Sequence, residues 1–199
     1  MELEDIIAVN ELFIPIYPYL ARQIVQEYGR KNGQALEIGP YGPGISLELA
    51  RLLPELSIIV GDDSPDLTSY FRRKIDEAKL ADRIQVREMD KYHLPLADDS
   101  RDLVYFRGAL FFWEDTVQLV KEAYRVLKTG GLAVLGGGLG ADTPEELVRE
   151  IVPRSRELNR RLAKAVLTPA DARRIVARAG VADQSRLDTR RGLWIIVRK

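Results

Sequence analysis

The sequence predicts an α/β fold built on a doubly wound, mostly parallel sheet with helices on both faces. Three observations predict it. Short apolar runs alternate with segments of helical periodicity between residues 34 and 135, a glycine-rich turn follows the first run, and two final apolar runs flank a turn at 189–192. Alternating strands and helices build crossover units and a parallel sheet. The final pair adds an antiparallel strand from a C-terminal hairpin.

Seven segments are expected to form the strands. Largely apolar runs are typical of parallel strands buried on both faces. β-branched residues favour the second strand, and alternation of apolar and polar residues indicates a half-buried third strand. The segments are 34–38, 57–60, 84–88, 102–106, 132–135, 182–187 and 193–197.

Helical spacing and capping signals place helices between these strands. Ser64 before Pro65 is a typical N-cap with proline at the first helical position. Thr143 and Glu146 have the spacing of a capping box, and Gly180 is a C-terminal stop. The expected helices cover 45–53, 65–80, 114–127, a segment that opens at 143–146, and 168–180.

Composition excludes several classes of function. The 199 residues fit one domain, 1–199, with 30 basic and 30 acidic side chains, whereas a nucleic-acid binder is usually strongly basic. The absence of cysteine and the single histidine, His93, argue against a metal site. The longest uncharged run has 13 residues, short of the ~20 of a membrane-spanning helix. Because the acidic start also lacks signal-peptide character, we expect a cytoplasmic protein.

Charge is balanced in total but uneven along the chain. Residues 1–100 hold 18 acidic and 11 basic side chains, and residues 101–199 hold 12 acidic and 19 basic ones. We expect the two halves to pack together and neutralise each other. The alternative is a basic surface that faces an anionic partner.

The turn after the first strand carries the strongest functional signal. Residues 36–44 have the sequence LEIGPYGPG. Gly39, Gly42 and Gly44 permit positive φ and a close approach of a ligand to the backbone. The helix that follows presents unpaired N–H groups to a bound group, and Glu37 places a carboxylate at the mouth of the turn. The alternative is a tight structural turn without a ligand.

Carboxylates also follow the next two strands. Asp62 and Asp63 end the second strand, where an acid accepts hydrogen bonds from ribose hydroxyls in dinucleotide-binding folds. Asp62 is the preferred residue because Asp63 is placed for entry into the next helix. Asp90, followed by Lys91, comes directly after the third strand and can accept from the exocyclic amine of a base. Because these strand ends meet at one edge of a parallel sheet, the pattern predicts a nucleoside pocket.

The order of these elements resembles that of the class I S-adenosylmethionine-dependent methyltransferases, over about residues 34–136 and more loosely to the end. The resemblance implies a Rossmann-like seven-stranded sheet, S-adenosylmethionine as cofactor and methyl transfer to an acceptor. Relative to the family's glycine spacing, the first motif holds one extra residue, Tyr41, which we expect to bulge toward the cofactor or the acceptor entrance. The stretches that carry the resemblance are LEIGPYGPG, DDSP, MDKYHLPLADDSRDLV, EAYRVLKTGGLAVL and TPADARRIVARAGV.

The resemblance also implies roles for the matching residues. Glu37 would face the charged end of the cofactor, and the three glycines of the turn would wrap its methionine and ribose portions. Asp62, with Asp63 beside it, would bind the ribose hydroxyls. Asp90 and the backbone of Lys91 would bind the adenine.

The acceptor site is less clearly marked, and no catalytic residue is assigned. Arg107, after the fourth strand, lies where the family reaches the cofactor's carboxylate or the acceptor. His93 is a candidate base or a plain loop residue, and Tyr17 is a candidate within a helical N-terminal segment, 1–30, that covers the site in the family. The aromatic run 111–113 forms either a wall of the acceptor pocket or a helix-packing surface.

Residues 137–168 are expected to form a lid. The stretch GGGLGAD at 136–142 is interpreted as flexible, and residues 149–164 carry six basic side chains. These side chains form either the solvated face of an amphipathic helix or an arginine cluster for an anionic acceptor under a mobile lid.

The sequence therefore predicts S-adenosylmethionine-dependent methyl transfer to a small-molecule acceptor, without nucleic acid or membrane as a partner. Two alternatives remain: a non-catalytic relative that binds the cofactor as a sensor or scaffold, and a methyltransferase that acts on a macromolecule. A dinucleotide oxidoreductase fits poorly because residues 39–44 lack the G-x-G-x-x-G order. A homodimer is left open.

Overall fold

The computed structural model describes residues 3–111, 114–162, 165 and 167–199. The helices are α1 Leu3–Phe13, α2 Tyr17–Tyr28, α3 Gly44–Leu52, α4 Pro65–Glu77, α5 Thr116–Val126, α6 Glu145–Arg161 and α7 Pro169–Ala179, with 3₁₀ helices at Ile14–Ile16 and Ala109–Phe111. The strands are β1 Asn32–Ile38, β2 Glu55–Asp62, β3 Ile84–Glu88, β4 Arg101–Arg107, β5 Leu127–Gly138, β6 Ser185–Asp188 and β7 Gly192–Arg198. Every strand predicted from the sequence has its counterpart.

The seven strands form one sheet in the order β3-β2-β1-β4-β5-β7-β6, which confirms the predicted doubly wound fold. Strands β1 to β5 pair in parallel, and β7 runs antiparallel to both of its neighbours, β5 and β6. The chain moves outward from β1 to β3 and then returns to β4 on the other side of β1. Ligands of such sheets bind at this reversal, outside the carboxyl ends of the strands.

The sheet separates two apolar cores because successive side chains of a strand point to opposite faces. On β1, Ala35 belongs to the core shared with helices α1, α2, α3, α4 and α6. The next residue, Leu36, belongs to the core shared with α5 and α7. Helices therefore cover both faces, and the carboxyl ends of β1, β2, β4 and β5 meet at one edge.

Two predictions about the segment after β5 are wrong. The run 136–142, interpreted as flexible, does not begin after the strand, because Gly136–Gly138 continues β5 and pairs with β7. A Cβ on Gly138 would lie 2.6 Å from the Cα of Gly192, so the close approach of the two strands requires glycine. Thr143 does not cap α6: Pro144 occupies the N-cap position, and the buried Thr143 hydroxyl has no hydrogen-bond partner among the described residues.

Ion pairs join the acidic first half of the chain to the basic second half, as expected. Arg161 of α6 lies 3.7 Å from Asp5 of α1, and Lys199 lies 2.9 Å from Asp99. Arg186 pairs with Glu27. Folding therefore pairs part of the acidic excess of the first half with basic side chains of the second.

Candidate functional site

The turn between β1 and α3 is held against β2 by its own backbone. The N–H of Gly39 donates to the carbonyl of Gly61 at 3.0 Å, and the N–H of Gly42 donates to Gly39 at 3.3 Å. Only Gly39 of the three turn glycines has positive φ, at 112°. Gly42 and Gly44 are required for packing instead: a Cβ on Gly42 would lie 2.8 Å from Val60, and one on Gly44 would overlap a tyrosine ring of α2.

The N-terminal helices lie directly on this turn. The Asn10 amide of α1 donates to the carbonyl of Gly42 at 3.3 Å, and the hydroxyl of Tyr17 donates to the Asn10 side chain at 2.7 Å. The ring of Tyr17 occupies the space that a side chain at Gly44 would need. Burial raises the pKa of Tyr17 well above its usual value of 10. This candidate residue is therefore held neutral and serves as a link between α1, α2 and the turn.

Glu37 is 1% exposed and forms the centre of a buried hydrogen-bond network. Its carboxylate accepts from the backbone N–H of Ser46 at 3.3 Å and from the Ser46 hydroxyl, which in turn lies 2.6 Å from the hydroxyl of Tyr105 on β4. Burial raises the pKa of Glu37 from 4.5 to about 7, against the lowering effect of Ser46 and of the Arg107 charge. The site therefore holds a carboxyl group that is only partly ionised near neutral pH.

Asp62, at the end of β2, is the second buried carboxylate of this edge. It is 4% exposed and accepts from the N–H of Ser64 at 2.9 Å. Burial is the main cause that raises its pKa from 3.8 to about 6. Asp63, by contrast, is half-exposed and pairs with Lys91, so the two adjacent acids have different environments.

Asp90 and His93 lie in the exposed loop after β3. The Asp90 carboxylate accepts from the N–H of Tyr92 at 2.8 Å and lies 3.2 Å from the His93 ring. These hydrogen bonds lower the pKa of Asp90. The His93 side chain is 78% exposed. The structure thus places Asp90 at the predicted strand end but leaves His93 in the solvent-facing part of its loop.

Arg107, at the end of β4, is buried inside an aromatic cluster. Its guanidinium carbon lies 3.5 Å from the centre of the Phe13 ring, 5.2 Å from that of Tyr41 and 5.9 Å from that of Tyr17. Burial lowers the pKa of Arg107, although a guanidinium remains charged in proteins. Tyr41 is buried, so the extra residue of the turn faces the arginine rather than solvent.

A cavity of about 400 Å³ opens beside this arginine, and we refer to it as the Arg107 cavity. Its floor is formed by the glycines Gly137, Gly138 and Gly192, where β5 and β7 meet. Phe13 and Phe111 form part of its walls, and α6 closes it from the outside. Phe112 and Trp113, predicted as further wall residues, lie outside the described residues.

The predicted basic segment forms α6, which packs on α1. Most of its arginines bind acidic side chains: Arg154 pairs with Glu150, Arg160 with Glu157, and Arg161 with Asp5. Arg156 is different because it lines the Arg107 cavity. Lys164, the last basic residue of the segment, lies outside the described residues.

Comparisons with known proteins agree with this fold. Residues 36–135, half of the chain, match the family described as methyltransferase domain. The chain belongs to this methyltransferase family. It is 31% identical to a proposed S-adenosyl-L-methionine-dependent methyltransferase from Methanococcus maripaludis, whose solved structure aligns with 100% of this chain and 93% of that chain at a TM-score of 0.82.

Curated members of the methyltransferase family match a shorter stretch. The ubiquinone/menaquinone biosynthesis C-methyltransferase of Geotalea daltonii is 31% identical over 105 residues, 52% of this chain and 45% of its own length. The demethylmenaquinone methyltransferase of Lactiplantibacillus plantarum is 32% identical over 90 residues, 45% of this chain and 38% of its own length. The chain thus spans less than half the length of these two relatives.

The methyltransferase family uses S-adenosylmethionine as its cofactor, as predicted. In the described part of the chain, no group of three or more His, Asp or Glu side chains could hold a metal ion. Among the described helices, none is long and apolar enough to cross a membrane.

Several residues of this methyltransferase edge carry no clear sequence signal. Ser46 and Tyr105 complete the Glu37 network, but a serine in an amphipathic helix and a tyrosine in a buried strand are unremarkable in a sequence. Asn10 offers a weak signal, because a polar residue at a buried position of α1 needs a partner. Phe13 could not be linked to Arg107, since the two are brought together only by the fold.

Proposed function

We propose that the protein transfers the methyl group of S-adenosylmethionine to a small-molecule acceptor that binds in the Arg107 cavity. The observation that carries this proposal is the pair of buried carboxylates, Glu37 and Asp62, at the carboxyl ends of adjacent strands. The Arg107 cavity lies at the same edge of the sheet, beyond β4.

The two carboxylates fit a cofactor that carries positive charge and ribose hydroxyls. A buried carboxylate is costly unless a cation or hydrogen-bond donors accompany it. Burial raises the pKa of Glu37 to about 7 and that of Asp62 to about 6, so both groups would gain from such a partner. Glu37 would face the cationic end of the cofactor, and Asp62 would accept from its ribose hydroxyls.

The other residues of the edge have supporting roles in this proposal. The positive φ of Gly39 exposes the backbone of the turn, and Asp90 lies beyond Asp62, where it can accept from an adenine amine once its loop hydrogen bonds rearrange. We also propose that two further residues contact the cofactor. Tyr41 lies beside Arg107, and Lys91 pairs with Asp63. When bound, S-adenosylmethionine supplies a sulfonium methyl group for in-line displacement.

The protein's own contribution is alignment and exclusion of water. Helices α1 and α6 pack on each other above the strand ends, where they can exclude water. Alignment of the reacting groups alone can lower the activation barrier by ~7–11 kcal/mol. We assign no general base, because Tyr17 is engaged with Asn10 and His93 is exposed.

Relatives named as quinone-biosynthesis C-methyltransferases support a small-molecule acceptor, as does the equal number of basic and acidic residues.

We further propose a cytoplasmic location. The oligomeric state, for which a homodimer is one outcome, is measurable by light scattering.

Calorimetric titration with S-adenosylmethionine tests the cofactor assignment. Loss of one charge-assisted contact in Asp62→Asn should weaken binding by about tenfold to 150-fold, and Asp90→Asn should also weaken it. Asp66→Asn is the matched control, since this acid is exposed in the first turn of α4, four residues after Asp62. Wild-type affinity in both Asp62→Asn and Asp90→Asn would contradict the assignment.

Turnover separates an enzyme from a sensor. S-adenosylhomocysteine release should be measured with pools of small metabolites, with and without a chelator. We expect release with at least one pool; tight cofactor binding without release from any pool would favour the sensor alternative.

A further inference from the structure

The Arg107 cavity combines apolar walls with positive charge and no negative charge. Its apolar lining comes from Phe13, Phe111 and aliphatic residues of β5, α6 and β7. Its charged lining consists of Arg107, Arg156 and Arg191, and no acidic side chain of the described residues lines it.

Arg107 is the decisive residue, because its charge is buried and forms no ion pair with a carboxylate of the described chain. It is 7% exposed, and its Nε and Nη1 atoms have no hydrogen-bond partner among the described residues. No carboxylate of the described chain lies within 4 Å of its guanidinium. The contact with the Phe13 ring compensates for this only in part, since a buried charge also needs hydrogen-bond partners. Two of the three guanidinium nitrogens, Nε and Nη1, are therefore buried donors without an acceptor in the described chain.

Arg156 extends this positive charge toward the cavity mouth. Unlike Arg154, Arg160 and Arg161, it has no ion pair with a described carboxylate, and it is exposed. Arg191, on the opposite side, binds Glu145. Positive charge is therefore present both deep in the cavity, at Arg107, and at its mouth, at Arg156.

The same residues open onto a second space. A groove of about 690 Å³ shares Phe111, Arg156 and Asn159 with the Arg107 cavity and continues past Pro153 and Leu167. A molecule longer than the cavity could therefore extend along α6 against an apolar surface.

We propose that the methyl acceptor is an amphipathic anion, whose carboxylate or phosphate binds Arg107 while its apolar body lies against Phe13, Phe111 and α6. This inference rests on the proposed function, because it takes the Arg107 cavity as the acceptor site. The competing partner of Arg107 is the carboxylate of the cofactor. The experiment separates this alternative from the anionic group of the acceptor.

The first arm measures binding of octanoate and of 1-octanol to protein saturated with S-adenosylhomocysteine. We expect octanoate to bind more tightly than the neutral alcohol. Arg107→Met should weaken octanoate binding by about tenfold or more and leave octanol unchanged, because it removes one charge-assisted contact and keeps the apolar stem. Arg154→Met, which neutralises a paired arginine of α6 outside the cavity, is the control and should bind octanoate like the wild type.

The second arm measures the affinities of wild type and Arg107→Met for S-adenosylhomocysteine and for 5′-methylthioadenosine, which lacks the amino-acid portion. If Arg107→Met weakens only S-adenosylhomocysteine and leaves octanoate unchanged, the arginine binds the cofactor's carboxylate and the proposal is overturned. Equal affinity of the wild type for octanoate and octanol overturns it as well.

Two further measurements keep the outcome clear. If Arg107→Met does not fold, the exposed variant Arg156→Gln replaces it, with an expected severalfold loss for octanoate and none for octanol. If the wild type binds no S-adenosylhomocysteine, the proposed function fails, and octanoate binding without cofactor then reports on the anion site alone.

Discussion

Replacement of Glu37 by glutamine should change how the stability of the cofactor-free protein depends on pH. The pKa of Glu37 is raised from 4.5 to about 7 in the fold, so between these values the folded chain keeps a proton that the unfolded chain loses. Because the folded state binds more protons, the free energy of unfolding falls as pH rises through this range. At about 1.4 kcal/mol per pKa unit, the total loss is about 3 kcal/mol by pH 8.

Urea denaturation at pH 5, 6, 7 and 8 measures this effect. Glu37→Gln keeps the size of the side chain and an oxygen that can accept from Ser46, but it cannot titrate. Asp62, whose pKa is also raised, contributes equally to both proteins and cancels in the difference. We therefore expect the difference in the free energy of unfolding, wild type minus variant, to fall by about 2.5 kcal/mol between pH 5 and pH 8, because part of the total loss occurs below pH 5.

The reasoning would be refuted if the free energies of unfolding of the wild type and of Glu37→Gln changed with pH in parallel. They would mean that Glu37 ionises in the folded chain as easily as in the unfolded one, and that its buried network does not hold a proton. A difference that rises with pH would point to an ionised Glu37 stabilised by Arg107.

Three further predictions concern the same edge of the sheet. A cofactor cation beside Glu37 would lower its pKa, so calorimetric affinity for S-adenosylmethionine should rise from pH 5 to about 7 in the wild type and change less in Glu37→Gln. Asn10→Ala should cost about 1–3 kcal/mol in urea denaturation, because the Gly42 carbonyl and the Tyr17 hydroxyl lose their partner; an unchanged midpoint would contradict the role of this link. Gly44→Ala should lower the melting temperature, because the added Cβ overlaps the Tyr17 ring, and the double variant with Tyr17→Ala should lose less than the two single variants together.

The sequence predicts the strands and their buried acids because these depend on local patterns. Apolar runs indicate β1, β2 and β4. Residues at or just after the end of each run lie at the carboxyl edge of the sheet, independently of distant contacts. Glu37 and Asp62 are found at that edge for this reason.

Features that depend on distant contacts could not be predicted. The glycines at 136–138 look flexible in a sequence, yet they form a strand because β7, from the end of the chain, approaches them closely. Arg107 follows a predicted strand, but its burial depends on Phe13, which α1 brings against its guanidinium. His93 resembles a candidate base only until the orientation of its loop is known.

The three floor glycines of the Arg107 cavity have a consequence for how acceptor size could change between related proteins. At Gly138 and Gly192 an added carbon would collide with the backbone of the facing strand, so the depth of the floor is fixed at both positions. At Gly137 its three nearest atoms would be ring carbons of Phe111, the first at 2.5 Å, and a side chain can move. Gly137 is therefore the one floor position where a substitution could select smaller acceptors, and it could do so without altering Glu37 or Asp62. If the cavity holds the acceptor, divergence toward new acceptors has to use this floor position or the walls of the cavity, while the residues proposed to bind the methyl donor stay the same.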